Sequence, residues 1–191
     1  MVKGMASLTD LARRLKLALV AMTDEKRGGD PRALAARLPR GAWLIFRHYD
    51  HPRRAELAEK LAKICRTRRV ELLIAGDAGL ARRLKAGLHL PQGMKRPLWK
   101  GRLTVAAHDR PGLLAAARLK ADAALLSPVF PTLSHPGGRS LGLLALRRLA
   151  RHSRVPVIAL GGIDEKTIRA LRGAPIAGVA AIGALQTDAR P

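Results

Sequence analysis

The chain has 191 residues, 48% of them hydrophobic, and its 36 basic residues against 14 acidic ones give a formal net charge of +22. This length and apolar content exclude a mainly disordered chain and suffice for one domain, predicted over residues 1–191 with its core at about 15–185. No apolar run approaches the ~20 residues that span a bilayer, and no signal-peptide core follows Met1, so we expect a cytoplasmic protein without a membrane partner.

The basic residues are scattered over many segments, and most fall on the polar faces of predicted helices. Aromatic residues make up only 3% of the chain, and no groove-reading helix or zinc-finger pattern is present, so nucleic acid is the least favoured partner. We expect small phosphorylated metabolites as partners instead, and the oligomeric state stays open. The single cysteine, Cys65, cannot form an internal disulfide and is expected to be buried.

Short apolar runs of strand length recur along the chain. They are Leu17–Met22, Ala42–Phe46, Val70–Ala75, Gly87–Leu90, Leu103–Ala107, Ala123–Leu126, Val155–Leu160 and Gly178–Ile182. Unbroken apolar runs are typical of strands buried on both faces, as in parallel sheets. Eight of them, separated by helix-like stretches, predict a single compact (β/α)8 barrel.

Helix signals stand between most of these runs. The predicted helical segments are Pro31–Leu38, a run from Pro52 to Arg68, a run from Asp109 to Lys120, Gly142–His152 and Asp164–Leu171. Several begin with an aspartate and an early proline, which a helix start tolerates. The Gln92–Arg102 connection is too rich in proline and glycine for a full helix, so we expect one degenerate barrel helix.

Two further expectations concern the ends of the chain and the competing architecture. Residues before about Leu11 and after Leu185 are expected to be loose ends.

A doubly wound open sheet would show the same alternation of strands and helices, but it requires a glycine-rich fingerprint after the first strand. The segment Met22–Lys26 has none, and this favours the barrel.

The loops after the sixth and seventh predicted strands are the most informative part of the sequence. The segments Leu125–Gly138 and Val155–Ile163 each run from an apolar strand into glycine, proline and hydroxyl or imidazole side chains. A glycine pair such as Gly161 and Gly162 lets backbone N–H groups approach an anion. We predict a phosphate-binding rim here, with a plain strand-to-helix turn as the alternative.

Four segments together resemble the thiamine phosphate synthase/TenI superfamily. They are Gly87–Gln92, Val105–His108, Ser127–Thr132 and Val155–Ile163, and they follow the family order over roughly residues 15–185. The resemblance implies an enzyme of thiamine biosynthesis that binds a thiazole phosphate and, with magnesium, joins it to hydroxymethylpyrimidine pyrophosphate. Its alternatives are a metal-independent thiazole tautomerase of the TenI type and a catalytically silent phosphate-binding homologue.

The resemblance also implies individual site residues. Arg47 would hold a pyrophosphate, and the backbone at Gly161, Gly162 and Gly183 would bind the phosphate of the thiazole. The further phosphate contacts would be Thr132, Ser134, His135 and Arg139. His108 would transfer a proton during thiazole isomerisation, with capping of the next helix as its alternative role. The alternative for Arg47 is that it is only a charged surface residue. His89 is expected to be a packed, hydrogen-bonded histidine. We expect Gly162→Asp to abolish binding of thiazole phosphate and to leave the fold intact.

The chain departs from the family pattern where magnesium would bind. Gly76 and Met94 stand at the family's aspartates and Tyr49 stands at a family lysine, so Asp77 is the only, weak, candidate metal ligand. Magnesium normally needs one or two carboxylates beside the substrate phosphates. Magnesium is therefore implied by the resemblance but largely lacks its ligands, and we expect weak or absent synthase turnover.

Overall fold

The computed structural model describes residues 7–25, 29–95, 97–132, 138–183 and 185. Its eight parallel strands form a closed barrel in which each strand pairs with the next along the chain and the last pairs with the first. The strands are β1 Ala18–Met22, β2 Trp43–Phe46, β3 Glu71–Ala75, β4 Gly87–Leu90, β5 Leu103–Ala107, β6 Ala123–Leu126, β7 Val157–Leu160 and β8 Gly178–Ala181. The predicted (β/α)8 fold and all eight predicted strands are confirmed.

Six α-helices surround the barrel in the described part of the chain. They are α1 Leu8–Arg14, α2 Pro31–Arg37, α3 Arg54–Arg68, α4 Ala78–Leu84, α5 Arg110–Arg118 and α6 Gly142–Arg151, and a short 3₁₀ helix covers Thr167–Leu171. Among these described helices, none combines the length and the apolar character that crossing a membrane requires.

Side-chain caps set where the helices begin. The Asp30 carboxylate accepts a hydrogen bond from the N–H of Arg32 at the start of α2, and Asp109 accepts one from Gly112 at the start of α5. Such a cap satisfies an N–H group that has no partner within the helix. Both starts were predicted from the aspartate and the proline that follows it, and both are confirmed.

The expectation of a loose N-terminal end is wrong for the described residues from Ser7 onwards. The Ser7 hydroxyl caps α1 by accepting from the N–H of Asp10, and the helix buries Leu8 and Leu11 in the core. Spacing of apolar residues at i and i+3 places both side chains on one helix face. This short amphipathic pattern was the signal in the sequence that would have predicted α1.

The segment Asp164–Leu171 forms a 3₁₀ helix instead of the predicted barrel helix. The Asp164 carboxylate accepts hydrogen bonds from the N–H groups of Lys166 and Thr167, so only Thr167–Leu171 is helical. Gly173, with φ of +70°, lies just beyond its end. Few residues remain between the cap and this turn, and short connections of this kind favour 3₁₀ geometry.

Alternating strand residues divide the core into two layers. The inner layer fills the barrel with Val20, Met22, Ile45, Leu73, Ala75, Ala123, Leu125, Ile158 and Ala180. Residues of the opposite parity, such as Leu19 and Ala21, pack against the helices. This period of two is the geometry of a strand with both faces buried. Cys65 lies in the outer layer, and burial raises the pKa of its thiol to about 11, as expected for a structural cysteine.

The connection from β4 to β5 has no helix among its described residues, which confirms the predicted degenerate helix. Trp99 packs into the outer layer there and is only 8% exposed. Its indole N–H donates to the carbonyl of Arg102 at 3.0 Å, and the Arg82 guanidinium lies 5.9 Å from its ring centroid. The indole therefore contributes to the outer layer in the one connection where the described residues form no helix.

Candidate active site

A cavity of about 420 Å³ opens at the carboxyl ends of the strands. Enzymes with this fold place their active sites at that face, on the loops that follow the strands. The described lining residues are Met22, Arg47, Tyr49, His89, Pro91, Gln92, Ala106, His108, Leu125, Ser127, Pro128, Thr132, Gly138, Arg139, Leu160, Gly161 and Ile182. Five of the predicted site residues are among them, namely Arg47, His108, Thr132, Arg139 and Gly161.

His108 follows β5 and is held by two hydrogen bonds. Its Nδ1 lies 2.8 Å from the carbonyl oxygen of Ser127, and its backbone N–H donates to Gln92 Oε1 at 3.0 Å. Nδ1 also lies 3.3 Å from the Ser127 hydroxyl, but its shorter contact is with the carbonyl oxygen, which only accepts, so we assign the hydrogen to Nδ1 and the lone pair to Nε2. In this tautomer Nε2 is available as a proton acceptor.

Arg47 follows β2, and its backbone is fixed by a buried pair of side chains. Its N–H donates to Thr23 Oγ1 at 2.9 Å, and Thr23 Oγ1 lies 3.0 Å from His48 Nδ1. Since Thr23 Oγ1 accepts from Arg47, its own hydrogen is available to His48 Nδ1. Burial lowers the pKa of His48, which agrees with a neutral ring in this pair.

The two arginines of the lining bring positive charge to the cavity. Neither Arg47 nor Arg139 forms an ion pair with any residue that the structure describes. A guanidinium without a protein carboxylate can bind the oxygens of an anionic ligand, in bidentate fashion where geometry allows.

His89 lies on β4 at the inner side of this cavity. It is 4% exposed, and its Nδ1 lies 2.9 Å from Thr104 Oγ1, which agrees with the expected packed and hydrogen-bonded histidine. Burial, together with the nearby charge of Arg47, lowers the pKa of His89 to about 3. Its ring is therefore neutral at any physiological pH.

The low pKa of His89 predicts a loss of stability in mild acid. Above pH 6.5 the ring is neutral in both the folded and the unfolded chain. Below that pH the unfolded chain binds a proton that the folded chain does not take up until about pH 3. The free energy of unfolding therefore decreases as the pH is lowered through this range. Between pH 7 and 5 we expect His89 alone to cost about 2 kcal/mol of unfolding free energy.

Urea unfolding of the wild type and of His89→Asn at pH 7, 6 and 5 measures this effect. The wild type should lose more stability than the variant over that range, whatever the absolute stability of the variant. Parallel pH profiles would show that His89 is not held neutral by burial.

Gly161 and Gly162 bring the loop after β7 close to the loop after β6. A Cβ at Gly161 would lie 2.8 Å from Pro128 Cα, and one at Gly162 would lie 2.5 Å from the Pro131 carbonyl oxygen. Both residues have positive φ, +98° and +64°. The expectation that Gly162→Asp leaves the fold intact is therefore wrong, because no side chain fits there without moving Phe130 and Pro131.

The remaining predicted phosphate contacts are placed as follows. Gly183 follows β8, is exposed, and has open space where a Cβ would stand; its neighbour Ile182 lines the cavity. The loops after β7 and β8 therefore reach the same rim, because Gly161 lines this cavity too. Ser134 and His135 lie outside the described residues, and their roles stay predictions.

The described residues do not fit a magnesium site of the kind that the resemblance implies. The described lining contains no carboxylate, and no group of three or more potential metal ligands occurs in the part of the chain that the structure describes. Asp77 has other partners: one oxygen caps α4 by accepting from Leu80 N–H, and the other pairs with Arg54 at 3.1 Å. Both Asp77 oxygens are thus engaged by the protein, and Asp77 is not among the described lining residues of the cavity, where a hard cation beside a phosphate would need its oxygen ligands.

Most of the described lining residues were not among the predicted site residues, and three of them carry polar groups that matter here, namely Gln92, Ser127 and Tyr49. Gln92 and Ser127 hold His108, and Tyr49 forms part of the wall. Each lies within three residues of the end of a strand, on the side of the barrel where sites form. That position alone was the available signal, since the Gln92 amide and the Ser127 carbonyl act by holding His108 and carry no motif of their own.

The closed barrel and the cavity at its carboxyl rim define a (β/α)8-barrel protein with its candidate site where such barrels act. The chain belongs to the thiamine monophosphate synthase family, a family of thiamine biosynthesis, whose model matches residues 17–185.

Relatives agree with this membership. A putative thiamine-phosphate synthase of Geobacter sulfurreducens is 33% identical over 193 aligned positions, which cover 93% of this chain and 91% of that protein. A thiamine-phosphate synthase of Anoxybacillus flavithermus is 32% identical over 138 residues, 68% of this chain and 64% of that protein. The solved thiamine phosphate pyrophosphorylase of Pyrococcus furiosus shares the fold, with a TM-score of 0.77, 22% identity and coverage of 92% and 91%.

Proposed function

We propose that this chain is an enzyme of thiamine biosynthesis that binds a thiazole phosphate in the cavity and isomerises its ring by proton transfer at His108. The observation that carries the proposal is the fixed tautomer of His108, with Nδ1–H bonded to the Ser127 carbonyl at 2.8 Å, in a described lining without carboxylates. We further propose that the barrel is one domain over residues 1–191.

The chemistry needs one group that takes a proton and returns it. Nε2 of His108 removes a proton from a ring carbon, and the resulting imidazolium delivers a proton to another ring atom. Atoms and charge balance without a co-reactant. The Ser127 carbonyl, which accepts from Nδ1–H in both forms of the ring, stabilises the imidazolium and prevents rotation of the ring.

The phosphate of the ligand would lie between the arginines and the glycine loops. Arg47, Arg139 and the hydroxyl of Thr132 are the donors of the described lining that suit an anion. Gly161 opens the backbone of the β7 loop to the same space. Gly162 supports this loop through its packing, and Gly183, Ser134 and His135 complete the proposed contacts.

Replacing Arg47 by alanine should weaken binding of thiazole phosphate by about 10- to 100-fold, since hydrogen bonds to charged groups contribute about 1.5–3 kcal/mol. Calorimetric titration with thiazole phosphate measures the loss. The matched control is Arg40→Ala, which removes the same charge before β2, at the opposite end of the strand. Equal affinities for the two variants would mean that Arg47 does not contact the ligand.

The second candidate function is the synthase reaction, which the names of the relatives favour. One assay separates the two. The purified protein is mixed with thiazole phosphate and hydroxymethylpyrimidine pyrophosphate, with and without magnesium, and thiamine phosphate is measured; the thiazole carboxylate phosphate isomer is supplied in a parallel reaction. Strong magnesium-dependent formation of thiamine phosphate would favour the synthase, and binding without turnover in either reaction would indicate a silent homologue.

A further inference from the structure

Tyr49 is an aromatic side chain that remains half exposed at the cavity wall. It is the only tyrosine of the chain, it lines the cavity, and it is 46% exposed. Large apolar rings that stay exposed inside a concave site commonly provide contact area for a ligand. The reaction at His108 makes no use of Tyr49, so its role requires a separate explanation.

The ring is held in place by its surroundings. The guanidinium of Arg54 lies over it, 5.8 Å from its centroid. Arg54 is itself fixed, because it donates to the Ala75 carbonyl at 2.7 Å and pairs with Asp77. A ring supported by a fixed cation through a cation–π contact loses little freedom when a ligand binds.

Gly76 leaves room for this ring. A Cβ at position 76 would stand 3.3 Å from Tyr49 Cε1, so any side chain there would press on the ring. The space beside the end of β3 therefore holds an aromatic wall instead of a carboxylate. The group that lines the cavity here is therefore an aromatic ring, which is no ligand for magnesium, and not a carboxylate.

We propose that Tyr49 is a specificity-determining residue that stacks against the flat ring of a phosphorylated heterocycle, while Arg47 binds the phosphate. The cavity then selects ring-bearing monophosphates over ringless phosphates. The identity of the ring as a thiazole rests on the proposed function, whereas the stacking itself does not. An offset ring pair provides a favourable contact that an aliphatic side chain of similar size does not.

Calorimetric titrations with phenyl phosphate and with inorganic phosphate test the role of Tyr49, on the wild type, Tyr49→Phe and Tyr49→Leu. The wild type should bind phenyl phosphate more tightly than inorganic phosphate, and Tyr49→Phe should keep this preference. Tyr49→Leu should bind phenyl phosphate about 5-fold more weakly and inorganic phosphate unchanged. Thermal melts confirm that both variants fold.

A second readout reports the stacking directly. Proton NMR of bound phenyl phosphate should show upfield shifts of its ring protons with the wild type and with Tyr49→Phe, and these shifts should disappear with Tyr49→Leu. Equal binding of phenyl phosphate by all three proteins, or a loss that is equal for both ligands, would overturn the proposal.

Titration of the same three proteins with thiazole phosphate distinguishes this proposal from the proposed function. A wild type that prefers phenyl phosphate but does not bind thiazole phosphate would contradict the thiazole substrate and leave the aromatic wall supported. Equal affinities of the wild type and Tyr49→Leu for thiazole phosphate would refute stacking on Tyr49 and leave thiazole phosphate supported as the ligand. A wild type that binds no phosphate ligand would refute both.

Discussion

Replacing His108 by asparagine should lower the turnover of thiazole phosphate isomerisation by about 100-fold or more, the usual scale for a lost general base. The asparagine amide can still donate a hydrogen bond to the Ser127 carbonyl, so the substitution removes Nε2 and little else. Because His108 acts on the reacting proton, KM should change little while kcat falls. Steady-state kinetics with the thiazole carboxylate phosphate isomer measure both constants.

The chain offers a matched control for this substitution. His152, at the end of α6, also places Nδ1 2.8 Å from a backbone carbonyl, that of Arg148, but it does not line the cavity. His152→Asn should therefore leave kcat unchanged. A full isomerisation rate with His108→Asn would refute the proposed role of His108. Magnesium-dependent formation of thiamine phosphate that is insensitive to this change would also refute it, and would favour the synthase reaction.

Gly162→Ala should lower the free energy of unfolding by about 2–5 kcal/mol, the largest stability effect that we expect. The added Cβ would lie 2.5 Å from the Pro131 carbonyl oxygen and 2.7 Å from Phe130 Cβ. Crowding of this kind costs about 1–3 kcal/mol. A side chain at φ of +64° adds about 1–2 kcal/mol of backbone strain. Urea unfolding measures the sum.

Gly173→Ala separates the two causes. Gly173 has a similar φ of +70° but nothing within 4 Å of its Cβ position, so only the backbone strain of about 1–2 kcal/mol applies. Equal losses at the two positions would mean that the β6 and β7 loops do not pack as the structure shows.

For ligand binding, Gly183→Asp is a sharper test than Gly162→Asp, because it brings a negative charge to the rim without crowding.

Strand positions were the most predictable part of this molecule. A strand buried on both faces is a mainly apolar run, and the runs Gly87–Leu90 and Leu103–Ala107 match β4 and β5 residue for residue although each contains one buried polar residue, His89 or Thr104. Helix starts at Asp30 and Asp109 were predictable because capping is a local interaction. The 3₁₀ helix after Asp164 was not, since its shortness depends on where Gly173 turns the chain back to β8.

The candidate site also has a part that could be predicted from the sequence and a part that could not. His108, Arg47 and Gly161 were predictable because strand ends converge on one face of a barrel. The roles of Gly162 and Asp77 were not, because each depends on a neighbour distant in sequence. Gly162 packs on Phe130 and Pro131, and Asp77 pairs with Arg54. Such tertiary partners cannot be inferred from a single motif.

The indole of Trp99 also has a consequence for how the barrel opens. Where a helix packs on two strands, many side chains must separate together before water reaches the sheet. Between β4 and β5 the described residues form no helix, and the indole of Trp99 packs into the outer layer there, with contacts that include Arg82 and Arg102. We therefore expect backbone amides of β4 and β5 to exchange their hydrogens through openings smaller than global unfolding, and hydrogen exchange measures this.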